Sequence, residues 1–336
     1  MNNAEVLVFA NVKGGVTKST TTLATGIMLH LLGARVLVVD ADPQGNTTDG
    51  LGYTPDLLEH TTYSLMTERS TLQETLKQTY FDRETGIFFD PTDQDELANL
   101  QAALEQKRAI RGPDLLPCNI SAAAAENELL GNPLWGDLLK KALAGVRSRY
   151  DFLVIDTNPG LSKLTISAFL CASRLVIPSV PERWPTSGIR LLCGAIENAH
   201  RLNPALHVDG ILFTRVRYAD HKKHMELVHQ KVLPEVNSTF PWMKLSCFET
   251  YINESANFTK TVSERSNIIL ALSADAISIM YWGFLAELLQ KMQSPHFNAA
   301  LNMYQKQLAI YREDQARLAE KKQQKRSEIG VGEEKR

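Results

Sequence analysis

Residues 10–22 read ANVKGGVTKSTTT, between the apolar run EVLVFA and the helix-like run LATGIMLHLLG. Two glycines followed by lysine and serine at this spacing suit phosphate. Backbone N–H groups of Gly14, Gly15, Val16, Thr17, Lys18 and Ser19 can wrap the oxygens, and a helix N-terminus adds partial positive charge. Lys18 would neutralise the β- and γ-phosphates, Ser19 would ligate Mg²⁺ and Thr20 would reach the α-phosphate. The usual phosphate-loop pattern, G-x-x-x-x-G-K-Ser/Thr, has glycine where this chain has Val12 and Thr17. Thr17 is the sharper departure, because a Cβ there obstructs a backbone geometry that glycine adopts freely. Two further loops carry carboxylates: DADPQGNTTDGLG at 40–52 and VIDTNPGLSKLT at 154–165. A carboxylate that orients water, beside a lysine and Mg²⁺, is a sufficient kit for phosphoryl transfer.

The elements that must position these loops are legible as short β-branched runs. They are EVLVFA at 5–10, RVLVVD at 35–40, DFLVIDT at 151–157, RLVIPSV at 174–180 and VDGILFT at 208–214. Continuous apolar runs of this length predict strands buried on both faces of a mostly parallel sheet, with helical crossovers between them. Ligands in such α/β sheets bind at the carboxyl ends of the strands, which is where the three loops fall. Residues 53–118 interrupt the alternation and read as an insertion, with helices expected near 71–79 and 93–108. From Pro295 the pattern changes: Phe297, Leu301, Tyr304, Leu308, Tyr311, Gln315 and Leu318 recur at spacings of four and three, a heptad seam in a long polar helix. That seam suits either packing on the chain's own body or pairing with a partner. The reading divides the chain into a main domain over 1–294, the seamed helix over 295–327 and a frayed, disordered tail over 328–336.

With these motifs in place, KGGVTKST resembles the deviant Walker A motif of the ParA/MinD family of P-loop ATPases. The resemblance spans most of residues 5–290 and is strongest in the first loops. It implies that Lys13 is a signature lysine, reaching across an ATP-bound homodimer to the other subunit's phosphates. DADPQGN is similar to the family's switch I. Asp42 then matches the aspartate that orients the attacking water, and Asp40 the one that supports Mg²⁺ and the loop. Asp156 matches the Walker B aspartate holding Mg²⁺ through water, with Asn158 in place of a switch II proline. Pro181 and Glu182 match structural parts of the dimer face. Thr214 and Arg215 fall where the adenine-contacting loop is expected.

ParA-like members bind double-stranded DNA without sequence specificity, which the resemblance assigns to Arg215, Arg217, Lys222, Lys223, Lys260 and Arg265. Phosphate recognition needs only a clustered positive face. The net charge of −2 gives no global argument for nucleic acid, so any such face is local. The first strand pattern opens the sequence, so no N-terminal helix-turn-helix and no operator binding are expected. A ParB-like partner that triggers hydrolysis is implied instead. The MinD alternative needs an amphipathic membrane helix, and the Gln/Lys/Glu-rich end of this chain lacks the bulky apolar face. No stretch approaches the roughly 18 apolar residues of a membrane span, and EVLVFA is too short for a signal peptide. The expected place is the cytoplasm, at the nucleoid. Cys118, Cys171, Cys193 and Cys247 form no CxxC pair, which disfavours a metal or cluster site and an iron–sulfur reductase role. The resemblance thus implies an ATPase for plasmid or chromosome partition; a cargo-positioning ATPase, an ATP-dependent ligase on the same scaffold, and a nucleotide-binding scaffold weakened by Thr17 are the remaining alternatives.

Overall fold

A computed structural model of the chain describes residues 4–123, 134–181, 186–255 and 276–333, with side chains through residue 320. Seven strands form one sheet: β1 (Glu5–Phe9), β2 (Val36–Ala41), β3 (Lys77–Asp82), β4 (Ala109–Leu116), β5 (Phe152–Thr157), β6 (Arg174–Ser179) and β7 (His207–Phe213). Their order is β3-β4-β2-β5-β1-β6-β7. All neighbours are parallel except β3 and β4. The five expected strands are therefore β1, β2, β5, β6 and β7. Their inner members are buried on both faces, as the unbroken apolar runs require.

Each face of the sheet carries its own core. On one side lie helix α1 (Lys18–Leu31) and the Ala276–Lys291 helix, packed around Phe9, Val38, Trp282 and Phe284. On the other lie the Lys163–Cys171 and Thr186–Leu202 helices, around Val8, Val39, Ile155 and Phe169. Gly26 sets how closely α1 approaches the sheet. A Cβ built there would sit 2.7 Å from Val38 Cγ2, a separation no methyl group tolerates.

Residues 53–118 are less helical than expected. The short Leu72–Thr75 helix gives way to β3 at Lys77, so the helix expected over 71–79 is present only in its first half and its last three residues are strand. The second expected helix is present as Gln94–Glu105, capped by Asp93, whose carboxylate accepts from the amides of Asp95 and Glu96. β4 follows and docks beside β2, so this segment extends the sheet.

The last helix runs Phe297–Glu333, past residue 328 where fraying was expected. Phe297, Leu301 and Tyr304 pack on the core beneath the Ala276–Lys291 helix. Residues 312–320 are exposed on every face, Leu318 included at 50%. The seam therefore meets the chain's own body over its first half, while Gln315 and Leu318 face solvent. Among the described residues, no helix is long and apolar enough to cross a membrane. Cys118, Cys171 and Cys193 are buried and Cys247 is partly buried, all as free thiols.

Candidate nucleotide site

The loop between β1 and α1 is pinned at its start by Asn11. Its amide donates to the Pro178 carbonyl of β6 at 2.8 Å, and its Oδ1 accepts from the Lys13 amide at 3.1 Å. Gly15 then takes φ +72°, the left-handed turn that glycine enters without strain. Thr17 also sits in the left-handed region, at φ 63° and ψ 28°. For a β-branched residue that is a true outlier, costing on the order of 1–3 kcal/mol. Thr17 is the N-cap of α1, yet its side chain makes no capping hydrogen bond. The opening amides of the helix are thus not taken up by that hydroxyl.

Lys18 is the first residue of α1 and is only 5% exposed. Its ammonium lies 3.4 Å from the Lys13 carbonyl oxygen. Burial pushes its pKa down, and the carboxylates of Asp156 and Asp42 pull it back up. Lys13, Gly14 and Gly15 are exposed, whereas Val16 is buried and anchors the loop.

Asp40 and Asp156 are register partners at the ends of β2 and β5. Both are fully buried. Asp40 accepts from the Thr48 amide at 2.8 Å, the Thr48 hydroxyl at 2.7 Å and the Asp42 amide at 3.0 Å. Asp156 accepts from the Thr47 hydroxyl at 2.8 Å and from the Ser19 hydroxyl, with Thr22 at 3.5 Å. Burial raises both carboxyls against these donors, Asp40 to about 8 with help from the Asp156 charge, and Asp156 to about 6. Asp42 is also raised by burial, with Lys18 acting in the opposite direction; its Oδ1 accepts from the Gln44 amide at 2.9 Å.

Two crowded carboxyls and the Ser19 hydroxyl make an all-oxygen donor set that fits a hard divalent cation. No cluster of three His, Cys, Asp or Glu ligands forms among the described residues. A cation here would complete its shell with water and phosphate, the habit of Mg²⁺.

The structure brings Lys13, Gly14, Gly15, Val16, Thr17, Lys18, Ser19, Thr20, Asp40, Asp42 and Asp156 together at the carboxyl ends of β1, β2 and β5. Thr214 and Arg215 join them from the end of β7. The Thr214 hydroxyl donates to the Val16 carbonyl at 3.2 Å, and Arg215 donates to the Gly15 carbonyl at 3.4 Å. Both therefore brace the loop's own backbone. Glu254 accepts ion pairs from Arg215 at 2.9 Å and Arg217 at 3.1 Å. Lys222 and Lys223 are exposed on the Tyr218–Leu227 helix. Lys260, Arg265 and Glu182 lie outside the described residues. Asn158 accepts from the hydroxyls of Ser162 at 2.8 Å and Thr165 at 2.7 Å, fastening its loop to the helix that Ser162 caps.

Sequence reasoning missed Asn11, Thr22, Thr47 and Thr48. Thr47 and Thr48 follow directly on DADPQGN, and hydroxyls placed after a buried carboxylate are the signal that could have found them. Tyr281, more than 250 residues from the loop in sequence, offered no such signal; its hydroxyl is 3.2 Å from Thr21 Oγ1.

Residues 4–208, more than half of the chain, match the family model AAA_31, described as an AAA domain. The sporulation initiation inhibitor protein Soj of Bacillus subtilis is 28% identical over 267 residues, covering 79% of this chain and 90% of that one. The chromosome-partitioning ATPase Soj of Treponema pallidum is 33% identical over 211 residues, 62% of this chain and 71% of that one. Among solved structures, cobyrinic acid a,c-diamide synthase of Mycobacterium smegmatis with bound ADP and magnesium is 27% identical. It superposes with a TM-score of 0.60 over 80% of this chain and 94% of that one. The chain belongs to the AAA_31 family, among the ParA/Soj-type P-loop ATPases.

Proposed function

We propose that this chain is a ParA-type partition ATPase. It binds ATP with Mg²⁺, dimerises around the nucleotide, holds DNA without sequence preference, and hydrolyses ATP slowly when a ParB-like centromere-binding protein engages it. The reading rests above all on one arrangement: the buried Lys18 ammonium, at the mouth of α1, is attracted by both Asp156 and Asp42. A lysine desolvated in this way is positioned for the β- and γ-phosphates, with Asp42 beside it to orient water. Lys13 is exposed at the loop's outer edge, which suits a reach to a second subunit's phosphates. Ser19, Asp40 and Asp156 would hold Mg²⁺, which supplies charge neutralisation across the phosphates when bound. Thr20 would meet the α-phosphate, and Thr214 and Arg215 would border the base.

The DNA face would comprise Arg215, Arg217, Lys222 and Lys223, with Lys260 and Arg265 added from the sequence. The Soj relatives, one of them a chromosome-partitioning ATPase, support the partition role. Such a protein would work in the cytoplasm, at the nucleoid.

The test is hydrolysis and gel shift on arbitrary duplex DNA at low salt, comparing wild type with Lys18→Ala. The reading predicts slow Mg²⁺-dependent turnover and an ATP-dependent shift, both lost in the variant. Wild type as inert as Lys18→Ala in both assays would contradict it. The Thr17 backbone favours a second reading, a scaffold that binds nucleotide with little turnover. Binding without hydrolysis, under conditions where Thr17→Gly hydrolyses, would select that one.

A further inference from the structure

Thr17 is both strained and incompletely bonded. Its left-handed backbone differs from the extended form of an ordinary N-cap, and its Oγ1 is buried without a hydrogen-bond partner in the structure. Beneath it stands Tyr281, fully buried on the Ala276–Lys291 helix, with its phenol 3.2 Å from Thr21 Oγ1. Burial holds this phenol up at about 12, while the oxygens of Thr21 and Thr17 work in the opposite direction, which places both threonines close to it. Three hydroxyls thus gather under the loop, one from the strained residue, one from the first turn of α1 and one from the C-terminal part of the chain.

A threonine at an N-cap ordinarily turns its oxygen onto the helix amides. Here those amides are the groups a phosphate must meet, so a capping hydroxyl would compete with the ligand. The Tyr281 phenol, which bonds Thr21, is also close to the unbonded Thr17 hydroxyl and would offer it a partner other than the helix amides. It also ties the first turn of α1 to a helix packed against the sheet, around Trp282 and Phe284.

We propose that Tyr281 is a positioning residue of the nucleotide loop, acting through the hydroxyls of Thr17 and Thr21 to keep the opening amides of α1 directed at phosphate. A loop that carries threonine in place of glycine thereby gains a handle that glycine lacks. The inference rests on the ATP-binding reading above and adds a second part of the chain to that site.

The experiment is calorimetric titration of the intact protein with Mg·ADP, which avoids any contribution from ATP-driven dimerisation. Wild type, Tyr281→Phe, Thr17→Val and the double variant are compared, with melting temperature measured alongside. Tyr281→Phe is expected to weaken ADP about fivefold, the worth of one hydrogen bond. In the Thr17→Val background, which keeps the branched shape and removes the hydroxyl, the same change is expected to cost less than about twofold. Thr21→Val serves as a second variant and is expected to reproduce the loss if Tyr281→Phe folds poorly. An equal loss from Tyr281→Phe in both backgrounds, or no loss in wild type, would overturn the inference while leaving ADP binding intact. Failure of wild type to bind either ADP or ATP would overturn the nucleotide reading, and this inference with it.

Discussion

Asp40 on β2 and Asp156 on β5 are direct cross-strand partners, two buried carboxyls side by side at the carboxyl end of the sheet. Their common surroundings raise both, to about 8 and about 6. An acid raised in the folded state contributes stability that is complete below its unfolded pKa and disappears as pH rises through its folded pKa. For this pair the loss runs from about pH 4 to about pH 8. The melting temperature of the nucleotide-free protein should therefore fall between pH 5 and pH 8.5. Mg·ADP should stabilise more at pH 8.5 than at pH 5, because the cation favours the ionised pair. A melting curve flat across that range, with and without Mg·ADP, would argue against a charged cation site here.

Thr17 yields a prediction of opposite character. Substituting Thr17→Gly removes a strain of about 1–3 kcal/mol and a hydroxyl whose place beside Tyr281 is worth at most about 1 kcal/mol. The balance of about 0–2 kcal/mol favours glycine, so nucleotide affinity should rise, by up to about thirtyfold. Titration with Mg·ADP checks this, and an affinity lowered by the change would show that the threonine is preferred at this position.

Glu254 draws two guanidiniums, those of Arg215 and Arg217, onto one carboxylate. Glu254→Gln should leave more positive charge on that face and strengthen binding to arbitrary duplex DNA about two- to fivefold at low salt. Lys222→Glu combined with Lys223→Glu should weaken it and flatten the salt dependence by about two in log–log slope. Fluorescence anisotropy against salt measures both. A slope unchanged in the double lysine variant would place the DNA face elsewhere.

The legible part of the molecule was local. Strands such as β2 and β5 announce themselves by unbroken apolar runs, and their end loops carry the lysine and aspartates within a few residues. β3 and β4 were hidden for physical reasons. The β4 sequence, AIRGPDLL, holds glycine and proline, which argue against strand, and Tyr80 and Phe81 lie in a polar run. Gly112 is tolerated because the chain is crowded there, a Cβ falling 2.5 Å from Thr79 Oγ1. The heptad seam was visible from Phe297 to Leu318, but periodicity carries no information on where its neighbour stops. Only the first half finds the body of the protein. Tyr281 was illegible because its role depends on tertiary packing across the chain, and a tyrosine in an apolar helix reads as core.

The most direct test of the account is the oligomeric state of the full chain with ATP and Mg²⁺, measured by sedimentation velocity for wild type and Lys13→Ala. A two-subunit nucleotide site predicts a monomer with ADP and a dimer with ATP for wild type, and a monomer in both conditions for Lys13→Ala. Wild type that stays monomeric at saturating Mg·ATP, or Lys13→Ala that dimerises equally well, would contradict it.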